Sequence, residues 1–201
     1  MGLLGPILSR VAMLAGFHSP AVGFDQPFEM LEACHERAQR SVALLQRLIE
    51  HLHRLGNDEP ARQAAVDVLR YFDIAAPHHH DDEERHVFPP LLALPRDAVH
   101  APVLDAVRRL QQDHRRMRRL WVRLREALHR LAQGLQTDFS PQQRRLAQDF
   151  IALYDRHIAL EERVVYPAAR HRLDAQALWA MGREMASRRG VGQVRFNAAT
   201  R

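Results

Sequence analysis

Two stretches of this chain repeat one another at a distance of 78 residues, and the repeat limits what the whole can fold into. The first reads His78-His79-His80-Asp81-Asp82-Glu83-Glu84-Arg85-His86-Val87-Phe88-Pro89, and the second reads His157-Ile158-Ala159-Leu160-Glu161-Glu162-Arg163-Val164-Val165-Tyr166-Pro167. His79 aligns with His157, Glu83 with Glu161, Glu84 with Glu162, Arg85 with Arg163, Val87 with Val165, Phe88 with Tyr166 and Pro89 with Pro167. On a helix, residues four apart lie above one another on one face. Each copy therefore sets an imidazole beside a carboxylate, a pair of metal-ligand donors presented twice.

The flanking sequence supplies the helices that carry these donors. Asp25, Pro27 and Glu29 read as a helix start, followed by the stripe Phe28, Leu31, His35, Ala38, Val42, Leu45, Ile49, Leu52 and a stop at Gly56. A second helix opens at Pro60 with the stripe Ala65, Leu69, Phe72, Ala76, His79, Glu83, His86; Pro77 should kink it, and Pro89 and Pro90 should close it. A third begins between Asp97 and Pro102 and runs to Gly134, with Leu110, His114, Met117, Trp121, Leu124, Leu128 and Leu131 on one face. Ser140-Pro141-Gln142-Gln143 is a capping box that starts a fourth, with Leu146, Phe150, Leu153, His157, Glu161 and Val164 inward. No strand alternation interrupts this pattern. The expectation is an all-α chain, an antiparallel up-down four-helix bundle. Residues 1–24 read as an irregular N-terminal segment, 25–170 as the bundle, and 171–201 as a short fifth helix capped by Asp174 and followed by a basic tail.

Composition narrows the function classes. All 29 basic residues are Arg, the formal net charge is +5, and runs such as Arg115-Arg116-Met117-Arg118-Arg119 are broken by apolar residues at helical spacing. That pattern suits a solvated helix face, and no zinc-finger spacing, aromatic RNA-binding motif or phosphate loop accompanies it, so nucleic acid is not an expected partner. A single cysteine, Cys34, excludes an internal disulfide. No apolar run reaches the ~18 residues of a membrane span, and Met1 to Phe17 lacks a basic leader region, so the expected location is cytoplasmic.

His35, His79, His114 and His157 each fall where an apolar residue belongs, and Glu83 and Glu161 fall there too. A lone core histidine is ordinarily a hydrogen-bonded residue. Four of them with two inward carboxylates are another matter, because a buried ionised carboxylate costs several kcal/mol unless a cation meets it. Imidazole and carboxylate donors without thiolates suit iron, manganese or zinc. A ferritin-like site would use Glu-x-x-His, which Glu32/His35 and Glu83/His86 fit, but the second copy keeps His-x-x-x-Glu instead. No Ser/His/Asp or Cys/His arrangement supports hydrolysis, so any catalysis would have to come from the metals.

These motifs resemble those of the hemerythrin-like, HHE cation-binding domain over roughly residues 25–170: His35 in Ala33-Cys34-His35-Glu36-Arg37, the two His-x-x-x-Glu-Glu…aromatic-Pro segments, and His114 in Gln112-Asp113-His114-Arg115-Arg116. The resemblance implies a non-haem centre of two iron ions, with His35 and His79 on one, His114 and His157 on the other, and Glu83 and Glu161 bridging. It implies as partner dioxygen or another small oxidant, nitric oxide or peroxide, in sensing, storage or detoxification. A metal-holding regulatory module without turnover and a di-metal oxidase or peroxidase are the alternatives, and no protein partner is specified. Oxygen carriers of the family have one more histidine a turn after the equivalent of His114, where this chain has Arg118. His80, or water, is expected to fill that gap, and His86 is a further candidate ligand or packing residue. Phe72, Met117, Trp121, Phe150 and Leu153 are candidates to line an apolar pocket, while Asp81 and Asp82 read as solvated.

Overall fold

The computed structural model describes residues 22–191, and all regular structure among them is helical. Most of the expected segment 1–24 and the tail beyond residue 191 lie outside the described residues. Helix α1 spans Pro27–Leu55, and α2 spans Glu59–Arg70; a π-helical turn at Tyr71–Ala75 leads into α3 (Ala76–Asp82), and a second at Glu83–Val87 leads into α4 (Phe88–Leu92). Helix α5 spans Ala101–Ala132. Helix α6 (Pro141–Leu160) continues through a π-helical turn at Glu161–Val165 into α7 (Tyr166–Arg172), and α8 spans Ala175–Arg188.

The termini follow local chemistry, with one exception. Gly56 and Gly134 have φ of +78° and +71°, which a side chain would strain, and they end α1 and the turn after α5. Ser140 and Gln143 make the expected reciprocal capping box on α6, and Asp174 accepts from the Ala177 N–H on α8. Asp25 does not cap α1. The residue before the helix is Gln26, which makes no side-chain capping bond, and Pro27 opens the first turn.

The prolines act differently from the sequence expectation. Each π-helical turn ends two residues before a proline, at Ala75, Val87 and Val165 before Pro77, Pro89 and Pro167. A proline ring clashes with the carbonyl four residues back. Widening the turn relieves this clash, so the N–H groups of Ala76, Phe88 and Tyr166 bond five residues back, to Tyr71, Glu83 and Glu161. Pro89 and Pro90 consequently do not stop the second helical rod, which runs from residue 59 to residue 92.

Packing closes a ring: α1 lies against α2 and α6, and α5 lies against the same two helices. The interior holds two apolar clusters. One includes Leu45, Leu69, Phe72, Leu124, Leu128 and Phe150. The other includes Leu31, Phe88, Leu91, Leu110, Val165 and Tyr166. The inward polar residues fall between them on every rod: His35 between Leu31 and Ala38, His79 between Ala76 and Val87, His114 between Leu110 and Met117, and His157 between Leu153 and Val165.

Candidate metal centre

The six residues singled out for ligation meet in that layer. His35 comes from α1, His79 from α3, His114 from α5 and His157 from α6, while Glu83 and Glu161 are the first residues of the second and third π-helical turns. All six are buried, with Glu83 and Glu161 at 0% exposure. They form two four-membered groups, His35/His79/Glu83/Glu161 and His114/His157/Glu83/Glu161, and His80 forms a further group with His114 and His157. Within each group the offered donor atoms lie within 4.8 Å of one another.

Both carboxylates divide their oxygens between the groups. Glu83 Oε1 lies 3.7 Å from His79 Nε2, while its Oε2 lies 3.3 Å from His114 Nε2. Glu161 Oε2 lies 3.1 Å from His35 Nε2, while its Oε1 lies 2.8 Å from His157 Nε2 and 4.0 Å from His114 Nε2. Despite these approaches, Glu83 Oε2 and both Glu161 oxygens have no aligned hydrogen bond, and neither has His80 Nε2. Buried polar atoms in folded proteins are nearly always satisfied. Imidazoles and carboxylates converge on the same points, with orphaned oxygens among them; such a set could hold divalent cations, which would satisfy those atoms.

Two further carboxylates complete the surroundings. Glu162 Oε1 lies 3.0 Å from His35 Nδ1, and Glu84 Oε1 lies 3.0 Å from His114 Nδ1. Each lone histidine thus has its outer nitrogen fixed from a neighbouring rod, which presents Nε2 to the centre. Sequence reasoning matched Glu84 with Glu162 in the repeat but gave them no role. The signal was available in the doubled glutamate of both copies. One residue further along a helix faces ~100° away, so the second acid of each doublet leaves the centre and meets a neighbouring rod.

Electrostatics separate these groups. Burial pushes the Glu83 carboxyl up to about 7, and nearby Glu161 adds to the shift. Burial acts on Glu161 in the same sense, but His157 and His35 outweigh it and hold Glu161 well below the usual carboxylate range. Burial opposes charge on His157, yet Glu161 and Asp113 raise it to about 10. His35 is raised by Glu161 and His114 by Glu83 and Glu84, again against burial. For His79 and His80 burial prevails, reinforced by neighbouring imidazoles, and both lie well below the ordinary histidine value. Burial likewise raises the Cys34 thiol, in keeping with a small core residue.

Other expected residues lie elsewhere. His86 turns to Glu184 of α8 and joins none of the donor groups. Asp82 is not solvated: it is 0% exposed and pairs with Arg188, the last residue of α8, and with Arg189 just after it, at 2.6 Å for Arg189 Nη2 to Oδ2. The fifth helix supplies those partners, and nothing local to Asp82 signals them. Asp81 is exposed as expected. Phe72, Met117, Trp121 and Phe150 line a cavity of about 110 Å³ that reaches His80, together with Tyr154 and, in place of Leu153, the exposed Arg118.

Two comparisons with known proteins bear on the family of this chain. A protein of Haemophilus influenzae, described as uncharacterized, is 34% identical over 168 residues, covering 84% of this chain and 92% of its own. The hemerythrin HHE cation-binding domain matches residues 26–169, which takes in every donor described above. On that match, the chain belongs to the hemerythrin HHE cation-binding family.

Proposed function

We propose that this chain is a non-haem di-iron protein that binds dioxygen or a related small oxidant, nitric oxide or peroxide, for sensing, storage or detoxification. The observation that carries the reading is the division of Glu83 and Glu161, one oxygen of each toward His35 and His79 and the other toward His114 and His157. In this reading His35 and His79 would hold one ion, His114 and His157 the second, and the two glutamates would serve both. His80, buried and with Nε2 unpaired, is the added imidazole of the second ion, in the role that Arg118 cannot fill from the surface. His86 is left to pair with Glu184.

A pair of iron ions held there would supply electrons to a small oxidant. The chain's own residues do the rest. Glu84 and Glu162 hold the rings of His114 and His35, and burial keeps His79 and His80 unprotonated and ready to ligate. The two apolar clusters above and below exclude bulk water, and the cavity beside His80 admits only small molecules. We take residues 25–170 as an antiparallel bundle and 171–201 as an appended segment. No described helix is long and apolar enough to cross a membrane, and we place the protein in the cytoplasm.

The test is metal content with an optical spectrum on protein purified without oxygen, before and after air. Two irons per chain with a visible band that appears on oxygenation and reverses on its removal support binding. An irreversible band moves the reading to oxidase or peroxidase chemistry. Zinc, or no metal, with a silent spectrum overturns it in favour of a structural or regulatory module.

A further inference from the structure

The two halves of the repeat place an aromatic ring against the lone histidine of the facing hairpin. Phe88 stacks on His114, with centroids 5.6 Å apart and planes 24° from parallel, and Tyr166 stacks on His35 at 5.2 Å and 8°. Phe88 shows that the packing role needs only a ring. Tyr166 adds a hydroxyl inside a core where an unsatisfied polar atom is costly, and that hydroxyl donates to Glu83 Oε1 at 2.6 Å and lies 3.1 Å from His35 Nε2. Tyr166 is 1% exposed, so water does not compete for these contacts. Both partners are donor atoms of one group, that of His35 and His79.

That group is also the poorer one. His80 lies with His114 and His157, so three imidazoles gather on that side, whereas only His35 and His79 gather on the other. The first ion therefore keeps room for an outside ligand, and the Tyr166 hydroxyl stands among its donors. A cation held by His35 Nε2 and Glu83 Oε1 would occupy the one lone pair of the ring nitrogen and one of the two on the carboxylate oxygen, weakening both as acceptors for the phenol. A more basic acceptor bound beside it would then compete with Glu83 Oε1 for the phenolic proton.

We infer that Tyr166 is a hydrogen-bond donor to the small ligand taken up at the His35/His79 ion, and that this is why the second copy of the repeat carries tyrosine where the first carries Phe88. The phenol keeps its proton throughout and sets the affinity and orientation of the ligand. The inference rests on the metal reading above, so the test begins by counting metal. Iron-loaded, oxidised full-length protein is titrated with azide, and the bound azide stretch is recorded in H2O and D2O. Tyr166→Phe is compared with Tyr71→Phe, which removes another buried-side hydroxyl, one that donates to the Cys34 carbonyl. The expected result is two irons in all three proteins, azide affinity about tenfold weaker in Tyr166→Phe alone, and a D2O shift of the azide stretch that Tyr166→Phe abolishes. Unchanged affinity within twofold, or the same isotope shift in Tyr166→Phe, overturns the inference while leaving the metal reading intact. If Tyr166→Phe fails to load, the wild-type isotope shift decides, and its absence overturns the inference. A wild-type chain that takes up no iron overturns the metal reading first.

Discussion

Glu84 and Glu162 allow the two proposed ion positions to be addressed one at a time. Each carboxylate lies 3.0 Å from the outer nitrogen of a single histidine, Glu84 on His114 and Glu162 on His35. Removing one by Glu84→Ala or Glu162→Ala leaves every proposed ligand in place and frees one ring. A hydrogen bond to a charged group contributes about 1.5–3 kcal/mol, and lost partners of this kind cost about 10- to 100-fold in metal affinity. The residues differ in exposure, Glu84 at 29% and Glu162 at 44%, so water replaces the lost acceptor more readily at Glu162. We expect about thirtyfold weaker binding in one step for Glu84→Ala and about tenfold in the other step for Glu162→Ala. The assay is a chelator-competed cobalt(II) titration followed by visible absorption, which resolves two binding steps. The double variant should show both losses together, since the two carboxylates share no partner. Affinities within twofold of wild type would refute the reasoning. So would equal weakening of both steps by either single variant, because the effect would then arise from the fold and not from one ring.

His80→Phe preserves a ring stacked on His114 at 4.1 Å and deletes the nitrogen; the second metal should bind at least about tenfold more weakly in the same titration, with the first step unmoved. Metal loading at pH 7 should release at least one proton, because His157, raised to about 10, must give up its own. Calorimetry in buffers of different ionisation enthalpy measures that release, and affinity should rise with pH from 7 toward 10. The sign reverses for the metal-free fold: the stabilisation from charged His157 is fully present below its unfolded value of about 6.5 and is lost as pH rises through about 10. Asp82→Ala leaves Arg188 and Arg189 without their buried acceptor and should cost about 3 kcal/mol in urea unfolding.

The helices and most of the centre were legible because their determinants are local. Stripe periodicity located α1, α5 and α6, the Ser140 capping box fixed the start of α6, and spacing of four set His79 beside Glu83 and His157 beside Glu161. The prolines were legible as breaks but not as π-helical turns, since whether a clash is met by stopping or by widening depends on what packs around it. Pro89 and Pro90 sit in a rod buried at Phe88 and Leu91, and stopping there would expose both.

Side-chain partners that cross between rods depended on tertiary structure. Asp82 looked solvated beside the exposed Asp81; Arg85 and His86, a turn along from it, pair with Glu184 instead, and docking of α8 brings Arg188 and Arg189 to it. Glu84 and Glu162 were visible as a repeat and silent as to role, because the histidines they hold lie 30 and 127 residues away. The Tyr166 hydroxyl reached meaning only when the fold set it between His35 and Glu83. Amphipathic spacing is written into consecutive residues and determines which faces turn inward. Which inward atoms then touch depends on the register between rods, and that is decided by the packing of the whole core.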